Sequence, residues 1–226
     1  IDYSNKNITG SFVGDTKINS TNAIYGKTAL QLDGNGDYVN LGDITQNIAK
    51  GYTISAWVNT RSPSSTTQQQ IFSRDKSSAP AQRFYQFRIE GDNTVRFITF
   101  NSTNSVITNA NTSRVLSANQ WYHVVATYNT TSAIVYINGV ANLTTTTSPA
   151  KDSKSGSGFA VSIGQDDTVT EVPAMFFNGS IDEVMFFERA LNSSQVLDIY
   201  NNQSSRFLSS GSLDFGTVGL FNRSEE

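Results

Sequence analysis

Cysteine is missing altogether from these 226 residues, histidine occurs once, and only 15% of the side chains carry charge. Without cysteine there are no disulfide staples, but a chain this long buries roughly 70% of its unfolded surface and needs none. Lys and Arg occur only as isolated singles in a chain of formal charge -3, which argues against nucleic acid or an anionic membrane as partner. No run of 18 apolar residues exists, so membrane insertion by a helix is not expected. The chain opens at Ile1 without Met, a basic n-region or an apolar h-region, as expected of a mature product or a piece cut from something longer. The single histidine, His123, sits between Tyr122 and Val124, and no G-x-S-x-G occurs. A Ser-His-Asp triad on a nucleophile elbow is therefore not expected, and His123 reads as structural.

What fills the space is amide and hydroxyl. Asn numbers 22 and Ser plus Thr 53, giving a polar but uncharged surface. N-x-Ser/Thr occurs at Asn7, Asn19, Asn101, Asn111, Asn129, Asn142, Asn178, Asn192, Asn202 and Asn222, about twice the number that composition alone predicts. Asn129 and Asn178 fall at expected hairpin tips and Asn101 and Asn111 in polar loops, where a glycan fits; Asn192 is the doubtful site, because its side chain can cap a helix.

The apolar residues alternate rather than cluster. In 52–60, Ile54, Ala56 and Val58 oppose Thr53, Ser55 and Trp57, which predicts a strand with one face in the core and Trp57 looking outward. Further strands are expected at 29–32, 38–41, 71–74, 84–89, 94–100 (Val95, Phe97 and Thr99 on one side), 121–128, 133–137, 140–143 and 159–163, with a weak one at 106–108 and one helical turn within 44–50. Asn138-Gly139 between apolar runs is a hairpin signal. Residues 1–28 read as an irregular arm with one or two short strands, and 61–70, 75–82, 144–158 and 165–173 as loops. There is no internal repeat, so one domain is expected over 1–203, with 204–226 a C-terminal extension or the start of a following domain or strand.

Near the end, residues 176–200 (FFNGSIDEVMFFERALNSSQVLDIY) hold a Gly-bearing turn, a strand with Ile181, Val184, Phe186 and Phe187 apolar, and a helix from Ser193 to about Asn201. Asn192 and Gln195 have capping-box spacing, and Val196, Ile199 and Tyr200 share a face expected to pack across an edge of the sandwich. Alternation sends Asp182 and Glu183 to opposite sides of the sheet. This segment, with ALQLDGNGDYVNLG, YTISAWVNT, WYHVVATY, IVYINGV and VSIGQ upstream in the same order, resembles the laminin G-like, concanavalin A-like jelly-roll domains. The resemblance implies an all-β fold, a two-sheet antiparallel jelly-roll sandwich with one short C-terminal helix.

Glucanases on this fold carry their carboxylates in one strand as Glu-x-Asp-x-x-Glu, and no such run is present, so no enzymatic activity is expected. Asp33, Asp37 and Asp182 are hard oxygen donors beside a Gly-rich turn, and the resemblance implies a structural calcium tying the first strand to the last. The other reading is that Asp33 and Asp37 satisfy turn amides and Asp182 pairs with a base such as Arg189. A second, rim-loop site at Asp166 and Asp167 is weaker. The expected function is a non-enzymatic recognition or adhesion module of a glycosylated surface protein, taking a glycan or protein ligand at the cell surface. Its cysteine-free, sequon-rich composition leans towards an archaeal envelope. The alternative is a repeating subunit of a filament, sheath or capsid that self-associates through the apolar segment 212–221.

Overall fold

The computed structural model describes residues 8–20, 23–24, 28–44, 46, 48, 50–61, 68–76, 82–146, 160–166 and 175–208. The sequons at Asn7 and Asn222, the carboxylates Asp167 and Glu171, and the apolar segment 212–221 lie outside them. Numbered along the chain, the strands are β1 (Ser11–Val13), β2 (Lys17–Asn19), β3 (Ala29–Asp33), β4 (Tyr38–Asn40), β5 (Tyr52–Thr60), β6 (Gln69–Lys76) and β7 (Gln82–Ile89). They continue as β8 (Thr94–Phe100), β9 (Val106–Val115), β10 (Tyr122–Tyr128), β11 (Ser132–Ile137), β12 (Val140–Thr146), β13 (Ser162–Ile163) and β14 (Asn178–Phe187), and one helix, α1 (Ser193–Leu208), follows.

Two seven-stranded sheets result, ordered β1-β4-β13-β6-β7-β8-β9 and β12-β11-β10-β5-β14-β3-β2. Every neighbouring pair is antiparallel. The sheets meet through their alternating apolar rows: Ile54, Ala56, Val58, Val124, Ala126 and Val135 from one, and Phe72, Phe87, Ile89, Val95, Phe97 and Ala110 from the other, all in one buried cluster. This is the jelly-roll sandwich that the family resemblance implies, built from strands that alternate as expected. Each of the Ile, Val and Phe side chains contributes on the order of 1.5–3 kcal/mol by leaving water, and each Ala less.

The hairpin at Asn138-Gly139 forms as expected, both residues at positive φ (52° and 76°). Gly139 is required for a second reason: a Cβ there would stand 2.9 Å from Leu197 Cδ1 and 3.0 Å from Tyr200 Cδ1, because α1 lies directly over the turn.

Three expectations are corrected. The helix does not stop near Asn201 but runs to Leu208, across the expected domain boundary at 203, and Gln203 is buried. It packs on the outer face of the second sheet rather than across an edge, with Val196 and Leu191 against Val125 and Tyr136, and Ile199 and Phe187 alongside. Asp182 and Glu183 do not alternate, because β14 carries a bulge between Asp182 and Met185 that sets Glu183 at φ 47°. Asp182 pairs with the outward residue Trp57, and Glu183 Oε2 accepts from Gln203 Nε2 of the helix at 3.3 Å, so both carboxylates serve the outer side. The apolar spacing already carried this signal. Ile181, Val184 and Phe186 all contact the core, and the odd step from 181 to 184 is compatible with one face only if an extra residue intervenes.

Candidate functional site

The capping box that starts α1 is formed: Asn192 Oδ1 accepts from Gln195 N at 2.9 Å, and Asn192 N donates to Gln195 Oε1 at 3.1 Å. The helix thus docked covers a stack of rings. Trp57 lies 5.3 Å from His123, and Tyr200 stacks on both at 5.8 Å between centroids. Trp57 does point away from the core, but it is only 4% exposed, and its Nε1 donates to Gln203 Oε1 at 2.8 Å. His123 Nε2 and Ser55 Oγ are 2.8 Å apart, two members of a nucleophile-base arrangement. Both are fully buried. Burial lowers the His123 pKa to about 3, so the ring is neutral and closed to substrate, as its structural reading requires.

The outer face of the other sheet is built differently. In β7 and the residue that follows it, Gln86, Arg88 and Glu90 alternate with the core residues Tyr85, Phe87 and Ile89; register then aligns Arg88 with Gln70 of β6 and Arg96 of β8, and Gln86 with Ser73 and Ile98. Apart from Gln70, whose Nε2 and Oε1 have no partner among the described residues, these polar groups are hydrogen-bonded. Arg88 Nε and Arg96 Nη1 both reach Glu90 Oε1, at 2.8 and 3.1 Å, and Gln68 Nε2 donates to Glu90 Oε2 at 2.9 Å. Arg88 Nη1 donates to Gln86 Oε1 at 2.7 Å, and Gln86 Nε2 donates to both Asp75 and Asp166. Arg83 pairs with Asp75 at 3.1 Å while its guanidinium lies 4.6 Å over the Phe100 ring. At the β9 side Arg96 Nε donates to the exposed Asn109 Oδ1 at 2.7 Å.

Burial by itself would raise the Glu90 pKa, but the hydrogen bonds and charge of Arg88, with those of Arg96 and Gln68, carry it below the ordinary carboxylate range. A carboxylate held in that state is a poor general acid. The face offers fixed donors and acceptors rather than a proton to transfer. Asp166, expected as a rim-loop cation ligand, is fully buried in this network. None of these residues but Asp166 was singled out from sequence, although the Gln86, Arg88, Glu90 alternation was there to be read.

Of the three expected calcium ligands, Asp33 and Asp37 come together, but with Asp15 rather than Asp182; the three carboxylates place ligand oxygens within 4.8 Å of one another. Asp37 accepts from Asp15 N at 2.7 Å and Asp33 N at 3.1 Å, and Asp33 accepts from Asn35 N, which is the turn-amide duty also foreseen for this pair. Burial, with the charges of Asp33 and Asp15, holds the Asp37 carboxyl above its ordinary value despite those amides. A hard cation would relieve that repulsion, so the donor set fits calcium, though it supplies fewer oxygens than the ion takes. Asp182 is elsewhere because β14 pairs Asn178, not Asp182, with Asp33; its Oδ2 accepts from Ile24 N at 3.0 Å.

Among the sequons, Asn129 is an exposed turn residue, with Thr131 Oγ1 donating to its side chain at 2.9 Å. Asn101 receives Thr103 Oγ1 likewise at 2.8 Å and Asn202 is exposed, whereas Asn111, exposed too, lies in β9 rather than in a polar loop and its Oδ1 accepts from Thr94 Oγ1 at 2.8 Å. Asn178 is not at a hairpin tip but half-buried at the start of β14, between β3 and β5. Asn19 donates to Gln31 Oε1, Asn142 Oδ1 accepts from Ser113 N and Arg114 N, and Asn192 is engaged in its cap.

With this geometry in hand, the chain can be set beside known proteins. A family profile described as the concanavalin A-like lectin/glucanases superfamily matches residues 33–197. No curated protein matches by sequence. Among solved structures, the binding domain of botulinum neurotoxin serotype G superposes with a TM-score of 0.68 at 16% identity, over 91% of this chain and 49% of that one. The receptor binding domain of the botulinum neurotoxin C/D mosaic serotype gives 0.65 at 17%, over 87% and 47%. The chain thus spans about half the length of these toxin domains. Domain 4 of AbnA, an extracellular arabinanase from Geobacillus stearothermophilus, in complex with arabinotriose, gives 0.60 at 22%, over 87% of this chain and 91% of that one. Among the described residues, no helix is long and apolar enough to cross a membrane.

Proposed function

Because the chain belongs to the concanavalin A-like lectin/glucanases superfamily, we propose that it is a non-enzymatic extracellular module that binds a glycan on the outer face of the β1-to-β9 sheet. The observation that carries the reading is the contrast of faces. One sheet is closed by α1, while the other presents ion-paired guanidiniums, carboxylates and amides as fixed hydrogen-bonding groups suited to sugar hydroxyls. The AbnA domain bound to arabinotriose is a relative of the same fold that takes a sugar, and the toxin domains are relatives that take a receptor.

Calorimetric titration with neutral oligosaccharides, arabinotriose among them, tests it. Wild type binds at least one. Arg96→Gln and Asn109→Ala, at the solvent-facing side of the network, weaken binding about tenfold while the fold persists, as loss of one good hydrogen bond each would do. No reducing sugar is released from any of them. Absence of binding across the panel rejects the reading. A calcium ion at Asp15, Asp33 and Asp37 belongs to the same proposal as a fold-stabilising part. At a free concentration one hundred times its dissociation constant it adds about 2.7 kcal/mol, lost in Asp37→Asn.

N-glycosylation at the exposed sequons, Asn129 first, fits a surface location, and intact mass before and after deglycosylation checks it. The archaeal lean of the composition gains no support from the relatives. A second reading, self-association, is favoured by Phe12 and Ile18, 51% and 57% exposed on the edge strands β1 and β2 of the two sheets. Size-exclusion chromatography with Phe12→Ser and Ile18→Ser decides it.

A further inference from the structure

We infer that the Asn35-Gly36 turn is a site of spontaneous covalent modification, at which the Asn35 side-chain amide is lost through a succinimide to give aspartate and isoaspartate. Asn-Gly occurs three times, as Asn35-Gly36, Asn138-Gly139 and Asn178-Gly179, and the dipeptide alone ranks none of them above the others. The Gly36 nitrogen attacks Asn35 Cγ, and the new N–C bond closes a five-membered imide. The proton of that nitrogen passes through solvent to the departing side-chain nitrogen, which leaves as ammonia. Water then opens the imide at one carbonyl or the other, leaving aspartate, or isoaspartate where the main chain now runs through the side-chain carboxyl. No co-reactant but water enters. Asn is thermolabile in this way where the backbone can rotate to bring the Gly nitrogen onto Cγ and nothing holds either group away.

The fold separates the three sites. Gly179 lies inside β14, paired with Leu32 of β3 on one side and Thr60 of β5 on the other, and a Cβ there would strike Asn59 O. Asn178 N donates to Gln69 Oε1 at 2.9 Å, and Asn178 O accepts from Arg61 N at 3.0 Å, so rotation would break the middle of a sheet. Asn138 is held through its side chain as well. Its Oδ1 accepts from His123 N at 3.0 Å, its N donates to His123 O at 2.8 Å, and Leu197 and Tyr200 of α1 close over Gly139. Asn35 and Gly36 have neither restraint. Asn35 is exposed between β3 and β4, and its one hydrogen bond among the described residues runs from its backbone N to Asp33 Oδ1. Gly36 N has no acceptor among the described residues, and a Cβ on Gly36 would meet nothing within 4 Å. With Gly34 on the other side of Asn35, the backbone here is free to turn. The aspartate product places a new negative charge beside the Asp15, Asp33 and Asp37 group, and the isoaspartate product adds a carbon to the main chain of the same turn.

The test incubates the full chain, folded and in denaturant, in mildly alkaline buffer and digests it with trypsin at intervals. Cleavage after Lys and Arg puts the three dipeptides in separate fragments, 28–50, 115–151 and 155–189, and mass spectrometry reads the conversion of amide to acid in each. In the folded chain, fragment 28–50 should convert at least about tenfold faster than either of the others. Reaction there needs no opening of structure, and an opening that costs about 1.4 kcal/mol already slows the others tenfold. In denaturant the three should convert at similar rates. Isoaspartate, which hydrolysis without an imide does not make, should appear at position 35, and Asn35→Gln should leave fragment 28–50 unconverted. A folded chain in which 115–151 or 155–189 converts as fast as 28–50, or in which 28–50 stays intact while the denatured chain reacts, overturns the inference. Conversion without isoaspartate, or conversion that persists at the wild-type rate in Asn35→Gln, overturns it equally.

Discussion

On the helix-covered sheet, the outward side chains of β5 and β10 are Ser55, Trp57, His123 and Val125, none more than 4% exposed. On the other sheet the corresponding rows of β7 and β8 are Gln86, Arg88, Arg96 and Ile98. Both surfaces are largely withdrawn from water, by different means. Aromatic and aliphatic groups cannot satisfy themselves in water and acquire a cover, α1, whose Val196 and Tyr200 continue the apolar layer. Guanidiniums, amides and carboxylates pair with one another in place, and among the described residues no helix lies over them. In the proposed reading, this row, with no helix over it among the described residues, is the one that exchanges hydrogen bonds with a ligand.

The comparison breaks most sharply at Trp57. Replacing it with Ala should cost about 3–5 kcal/mol in chemical denaturation, since the ring is buried under α1 and carries the stack on His123 and Tyr200. A loss below about 1 kcal/mol would mean that the helix does not seal this face.

His123 gives the next effect. Its folded pKa of about 3 lies below the ordinary 6.5, so the unfolded chain binds the extra proton first as pH falls. Stability is therefore full above pH 6.5 and declines below it, by about 2–3 kcal/mol at pH 4.5. His123→Gln should flatten the slope between pH 6.5 and 4.5. Glu90, whose pKa is lowered, has the same sign at lower pH: its contribution is present above its unfolded pKa and is lost only as pH falls through its lower folded value.

The smallest pair sets one face directly against the other. Gln203→Ala leaves the buried Trp57 Nε1 without its acceptor and should cost about 1–3 kcal/mol. Arg96→Gln, on the half-buried side of the open face, should cost less than about 1 kcal/mol. Thermal melts of the two variants in one buffer rank them, and a reversed order would remove the distinction between sealed and open face.

Period-two alternation in residues 52–60, 84–89, 94–100 and 121–128 was enough to predict strands, because a strand buried on one face must alternate whatever its neighbours are, while the sandwich was implied by the family resemblance. The Asn138-Gly139 hairpin and the Asn192-Gln195 cap were equally legible, each being a contact between residues close in sequence. The helix end was not. Past Asn201 the helix is held by Gln203, whose partners Trp57 and Glu183 are 146 and 20 residues away. The carboxylate cluster shows the same division: Asp33 and Asp37 share one turn and lie together, whereas Asp15 joins them from the turn between β1 and β2, which belong to different sheets, and Asp182 leaves through the register of β14.

Alternation and local turn chemistry thus determined most of the strands, the family resemblance implied the class of fold, and the sequence holds no run of glucanase carboxylates. Tertiary structure decided which outward row is sealed and which stays open, where Glu183 points, and that Gln70 is buried with no partner among the described residues. Those outcomes depend on strand register and on the docking of α1. Both are set by side chains far apart in the chain, and a single bulge, as in β14, is enough to reassign a whole row from one side of the sheet to the other.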